Sequence, residues 1–268
     1  MQERLTLLNS ITDATVADRG KIAVSGSHGG AYPALLASRA GLRAVILNDA
    51  GIGYEDAGIA GIRDLAGVGM AAAAADCMSC RIGSAADMLA QGQISYVNRI
   101  AEDIGVSVGM TVREAAERLA AARPASGRLP DLAEARWDQS LSACPVTLLC
   151  VDSASLVRPE DAGRTIITGS HGAIIGGDPA RALKARARFA AFNDAGFGKD
   201  RVGASRLPLL DEKGVAAVTL SHRSCRIGSA RSALSSGIVS AANEAAQKLG
   251  GRPGIPLREL IRHLALRA

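Results

Sequence analysis

The chain writes one set of polar blocks twice. SGSHGG, LNDAGIG and SCRIGSA, between residues 25 and 85, return as TGSHGA, FNDAGFG and SCRIGSA between residues 168 and 230. Ser27, His28 and Gly29 recur 143 positions on as Ser170, His171 and Gly172. From Asn48 onward the offset is 145, pairing Asn48 with Asn193, Asp49 with Asp194, Cys80 with Cys225 and Arg81 with Arg226. The segments between the blocks have drifted, since AYPALLASRAGLRA is matched only loosely by IIGGDPARALKARARFA. A plan written twice predicts two tandem, pseudo-twofold related lobes from an internal duplication: residues 1–120, a connector over 121–144, and residues 145–268.

Within each copy, short apolar runs alternate with helical stretches of about ten residues, the pattern of a short parallel sheet flanked by helices. KIAVSGS, LRAVILND and MAAAAAD read as strands of the first copy, and RTIITGS, RFAAFND and VAAVTLS as those of the second. Helices are expected from about Ser84 through Asp103 and from about Ser229 through Leu249, with Ser84 and Ser229 as their N-caps and Asn98 and Asn243 within them. The GSHG, NDAG and SCRIG blocks then fall at the carboxyl ends of neighbouring strands, where open parallel sheets hold their ligands.

At 268 residues and 48% apolar content the chain can bury a sizeable core. Aromatics are only 3%, and the net charge of +5 comes from Lys and Arg interspersed with Asp and Glu. Neither stacking platforms nor a clustered basic face is present, so nucleic acid is not the expected partner. No apolar run reaches the roughly 20 residues of a membrane span. Five cysteines, Cys144 and Cys150 among them, are an odd number, and the leading MQERLTLL lacks an apolar segment; free thiols and a cytoplasmic setting are expected. Ala- and Gly-rich helices leave flat surface for a homo-oligomer.

The GSHG turn offers glycines without side-chain bulk, backbone N–H groups and a hydroxyl beside an imidazole, a setting for a carboxylate or a developing oxyanion. Ser27 and His28 are neighbours on extended backbone and do not form a dyad with each other. In NDAG, Asp49 and Asp194 are candidates to orient a histidine or accept a proton, and Asn48 and Asn193 to donate to a substrate carbonyl; the same four residues are also good turn chemistry. In SCRIG, a helix start beside Cys80 or Cys225 favours thiolate, and Arg81 or Arg226 can fork a carboxylate; a buried inert cysteine is the competing reading. The copies differ at one informative place, where Asp76-Cys77-Met78 aligns with Ser221-His222-Arg223. His222 thus adds a base near Cys225. Cys77, Cys80, His222 and Cys225 could form a zinc set only if the lobes faced each other, and no metal is expected.

No dinucleotide, nucleoside triphosphate, calcium or zinc-protease motif stands in a fitting context. The reading is a cofactor-independent hydrolase for a small polar or carboxylate-bearing substrate, expected to be anionic, at a cleft between the two repeated lobes. Its catalytic groups are drawn from Ser27, His28, Asp49, Cys80, His171, Asp194, His222 and Cys225, and its binding groups from Gly29, Asn48, Arg81, Ser170, Gly172, Asn193 and Arg226. Two alternatives stand beside it. One is an isomerase or racemase using Cys80 and Cys225 as opposed acid and base. The other is a non-enzymatic receptor or regulator that closes on an anion.

Overall fold

The structure is a computed structural model that describes residues 5–141 and 146–266. Cys144 and the end of the connector lie outside the described residues. The chain folds as α/β with two mixed sheets of five and six strands, flanked by helices.

The first sheet has the order β1 (Leu5–Leu8), β2 (Ile22–His28), β3 (Ala44–Asn48), β4 (Ala71–Ala75) and β5 (Ile94–Val97). The first four are parallel and β5 is antiparallel to β4. The second sheet holds β6 (Arg136–Ser140), β7 (Thr147–Val151), β8 (Thr165–His171), β9 (Phe189–Asn193), β10 (Ala216–Leu220) and β11 (Val239–Ala242) in that order. Strands β7 to β10 are parallel, and the edges β6 and β11 are antiparallel.

Two expectations are corrected. The sheets are mixed rather than parallel, and the long helices over residues 84–103 and 229–249 do not form. Helix α3 (Ala85–Gln91) stops at Gly92, and Ile94–Val97, rich in β-branched and aromatic side chains, returns as β5. Asn98 then caps α4 (Arg99–Glu102). The second half does the same: α7 (Ala230–Ser236) ends at Gly237, β11 follows, and Asn243 caps α8 (Glu244–Lys248). Ser84 and Ser229 do cap their helices, accepting from Asp87 N–H and Ser232 N–H.

Helices α1 (Ala31–Arg39), α2 (Ala60–Ala66) and α5 (Val112–Leu119) complete the first half, and α6 (Arg206–Glu212) and α9 (Leu257–Leu266) the second. Each sheet is covered on both faces by apolar clusters. Strand β4 is five consecutive buried alanines, which lets the flanking layers approach closely. Between the sheets runs a separate apolar seam of Ala50, Ala57, Ile82, Ala173, Ala195 and Ile227. The connector is not merely a link, because its β6 pairs with β7 as an edge strand. Trp137 packs on the second core with the Arg231 guanidinium 5.2 Å from its ring centre. Among the described residues no helix is long and apolar enough to cross a membrane.

Candidate functional site

The glycine of each SGS or TGS block sits where a side chain has no room. A Cβ on Gly26 would stand 2.7 Å from Ser84 N, and one on Gly169 would stand 2.3 Å from Ser229 N. The SCRIGS loops therefore lie directly on the ends of β2 and β8, where Gly83 N–H and Gly228 N–H donate to the carbonyls of Gly26 and Gly169 at 2.8 Å. The ladders to β3 and β9 shift register before His28 and His171, so both strands kink as they end. Their last two residues, Ser27 with His28 and Ser170 with His171, all line one cavity of about 350 Å³. It lies between the two halves, with Ser10, Tyr32 and Leu36 from the first and Ser153, Leu183 and Arg206 from the second.

Each imidazole is fixed by its own turn. His28 Nδ1 accepts from Gly30 N–H at 3.1 Å, and His171 Nδ1 accepts from Ala173 N–H at 3.2 Å. An accepting Nδ1 leaves the proton of the neutral ring on Nε2, so both histidines are Nε2–H donors. Burial pushes the His28 pKa down to about 4; burial, with the Arg206 cation and His28 nearby, takes His171 down to about 3. At neutral pH both rings are uncharged. The serine oxygens are likewise engaged as acceptors, from Ile11 N–H at 3.0 Å and Ala154 N–H at 2.8 Å. No hydrogen bond joins either serine to a histidine among the described residues. The cavity thus presents hydrogen-bond donors rather than an activated hydroxyl nucleophile.

Two further groups complete the wall, and the sequence reading missed both. Arg206 is 2% exposed, donates from Nε to the Ala173 carbonyl at 3.1 Å, and lies 5.0 Å over the Phe192 ring. Among the described residues no carboxylate stands within ion-pair distance of it, and burial lowers its pKa to about 10. Glu134, from the connector, is half-buried beside Asp152 and Ser153. Burial, together with the Asp152 charge, pushes its carboxyl up to about 7. Arg206 aligns with Gly61, and Glu134 lies in a segment with no partner in the other copy. A search guided by repetition passes over such positions; unmatched polar residues are the signal that would have found them.

The NDAG and SCRIG blocks form a different constellation, at the seam. Ala50, Gly51, Ile52 and Gly53 all have positive φ, and so do Ala195, Gly196, Phe197 and Gly198. Ile52 at +62° is a β-branched residue in left-handed backbone, a costly conformation held by its surroundings. The two loops cross so closely that a Cβ on Gly51 would stand 3.0 Å from Gly196 Cα. The Asp49 carboxylate holds its loop by accepting from Gly51 N–H, Cys77 N–H and the Ser95 hydroxyl. Asp194 accepts from Gly196 N–H and His222 N–H, and also meets His222 Nδ1 at 2.9 Å. Asn48 and Asn193 hold the amides of Ala50 and Ala195. Gly29 and Gly172 are tight packing positions, with Cβ sites 2.7 Å from the Gly58 carbonyl oxygen and 2.3 Å from that of Gly203. Arg81 pairs with Asp87 and Asp200, and Arg226 with Glu55.

The thiols depart from the expectation of thiolate character. Cys80 is fully buried in the core of the first sheet and Cys225 in that of the second. Burial raises them to about 12 and about 11, outweighing any help from the following helix. Cys77 is raised as well, by burial and then by Asp49 and Asp76. Neither Cys80 nor Cys225 lines the cavity. Both are expected to resist alkylation in the native protein at pH 8 and to label fully in urea, counted by intact mass; rapid native labelling of either would contradict this burial. Donor atoms of Asp49, Asp76 and Cys77 lie within 4.8 Å of one another. The Asp49 oxygens of this group are committed to three protein donors, which hold the loop in place.

Compared with family models, with curated proteins and with solved structures, the chain matches none.

Proposed function

We propose that the protein is a cofactor-independent hydrolase for a small carboxylate-bearing substrate, working in the cavity between two duplicated halves that face each other about an approximate twofold. Equivalent residues meeting across the seam support the duplication. Tyr54 N–H donates to the His222 carbonyl at 2.7 Å while Lys199 N–H donates to the Cys77 carbonyl at 2.8 Å, and the Arg81–Asp200 pair has its counterpart in Arg226–Glu55. The observation that carries the function is the presence in one cavity of two neutral Nε2–H imidazoles and a buried guanidinium without a carboxylate. Free thiols fit a reducing, cytoplasmic setting.

In this reading Arg206 takes the substrate carboxylate, because a buried cation is stabilised most by a charge it does not yet have. His28 and His171 donate to the reacting carbonyl oxygen as uncharged electrophiles, a role that a lowered imidazole pKa preserves at neutral pH. Glu134, poised near neutrality, accepts a proton from the attacking water while the water oxygen bonds to the carbonyl carbon. Collapse of the tetrahedral intermediate breaks the bond to the leaving group, which receives that proton back from Glu134. The serines assist as hydroxyl donors. The two-thiol isomerase finds no support, since neither thiol reaches the cavity. The anion-binding receptor remains as a second reading, favoured by the lack of a paired nucleophile and base.

The test is turnover of short carboxylate-bearing esters and amides. His28→Phe and His171→Phe are each expected to lower kcat by about 10²- to 10³-fold, and thiol alkylation to leave it unchanged. Unaltered turnover in both variants removes this site, and stabilisation without turnover by every ligand selects the receptor.

A further inference from the structure

The cavity carries unmatched charge of both signs. Arg206 supplies a buried cation with no carboxylate partner, while Glu134 and Asp152 stand together with no cation within ion-pair distance among the described residues. Asp152 is held in place by Ala135 N–H at 2.9 Å and Ala230 N–H at 3.0 Å, so the two carboxyl groups are kept as neighbours by the backbone beside them. The other cations of the wall do not neutralise them, because Arg181 pairs with Asp13 at 3.1 Å and Lys184 is exposed, donating to the Ser155 carbonyl at 2.6 Å. The lining also includes the aliphatic side chains of Ile11, Leu36 and Leu183. Backbone groups satisfy part of each pole, but neither has an opposite charge within ion-pair distance, and a ligand of matching polarity supplies both.

We infer that the substrate is a zwitterion of the amino-acid class, with its carboxylate on Arg206, its cationic nitrogen on the Glu134–Asp152 pair and its aliphatic body against Ile11, Leu36 and Leu183. This rests on the carboxylate-binding role given to Arg206 above and adds the second pole; the nitrogen takes Asp152 and one Glu134 oxygen, leaving the other Glu134 oxygen to the attacking water. It also gives the connector a purpose, since Glu134 is the group by which that segment enters the site.

Calorimetry on the intact protein at pH 8, where Glu134 is ionised, tests the inference with four probes of similar size: L-leucine, 6-aminohexanoate, hexanoate and hexylamine. At least one zwitterion is expected to bind ten-fold or more tightly than both singly charged probes. Glu134→Gln should leave hexanoate binding intact and reduce the zwitterion's advantage to less than three-fold. Arg206→Gln should abolish hexanoate binding; should that variant not fold, Glu134→Gln at the half-buried rim still decides the matter. If hexanoate binds and neither zwitterion binds better, the second pole is wrong while the anion site stands. If neither hexanoate nor either zwitterion binds, the carboxylate-binding reading falls and this inference with it.

Discussion

Replacing Gly203 by alanine is expected to cost more than about 4 kcal/mol, leaving little folded protein in mild denaturant. The added Cβ would stand 1.9 Å from the Asp194 carbonyl oxygen and 3.1 Å from Phe197 Cα, both backbone atoms that no side-chain rotation can move aside. The loop that curls through left-handed backbone from Ala195 to Gly198 closes on Gly203, whose N–H donates to the Phe197 carbonyl at 2.8 Å. Moving Gly203 would therefore unseat the Asp194 turn and the seam together. Gly163 is the control: it has φ of +77° with nothing within 4 Å of its Cβ position, so its alanine variant should lose on the order of 1 kcal/mol from backbone strain alone. Urea unfolding followed by circular dichroism compares the two. Equal losses would mean that the crossing loops yield more readily than the geometry implies.

Acid should destabilise the protein well before its carboxylates titrate. His28 and His171 are neutral in the fold, with pKa values near 4 and near 3 against an ordinary value of 6.5, so below that value the unfolded chain binds protons the folded one refuses. Their contribution is unimpaired above pH 6.5 and is lost as pH falls toward the folded values, by roughly 2 to 3 kcal/mol per imidazole at about pH 4.5. Glu134 works in the opposite sense: its folded pKa of about 7 lies above its unfolded one, so its contribution is lost as pH rises through neutrality. Asp18 and Asp161 have lowered values and lose their stabilising partners only below the ordinary carboxylate range. Because the Glu134 gain offsets roughly one imidazole's loss, unfolding free energy measured from pH 7 to 4.5 should fall by about 2 to 3 kcal/mol in the parent and stay nearly level in His171→Gln. Parallel curves would show that the imidazole is free to protonate in the fold.

Much of the framework was legible because repetition filters noise: the strand ends at His28, Asn48 and Ala75 lie where the blocks placed them. The antiparallel returns were missed because a capped helix start at Ser84 and an asparagine at Asn98 look like one helix until Gly92 and the β-formers after it are weighed. Within the site, repetition misled as well as guided. Asn48, Asp49, Arg81 and their counterparts recur, but their polar atoms are bound to backbone amides and to each other's loops. Arg206 and Glu134, the unmatched residues, are the ones the cavity leaves with unanswered charge.

The division of the cavity wall along the chain bears on how the protein is made. Ser10, Ser27, His28 and Tyr32 leave the ribosome early, and Arg206 follows His28 by most of the chain's length. At about 5–20 residues per second, the first sheet can be complete on the order of ten seconds before the guanidinium exists. Through that interval His28 stands without the Arg206 cation opposite it, so a carboxylate ligand of the proposed kind lacks its partner on the nascent half. A metabolite that fits the cavity can act only on the closing event of synthesis, when the second sheet docks, and its cellular concentration would set the yield of that last step alone.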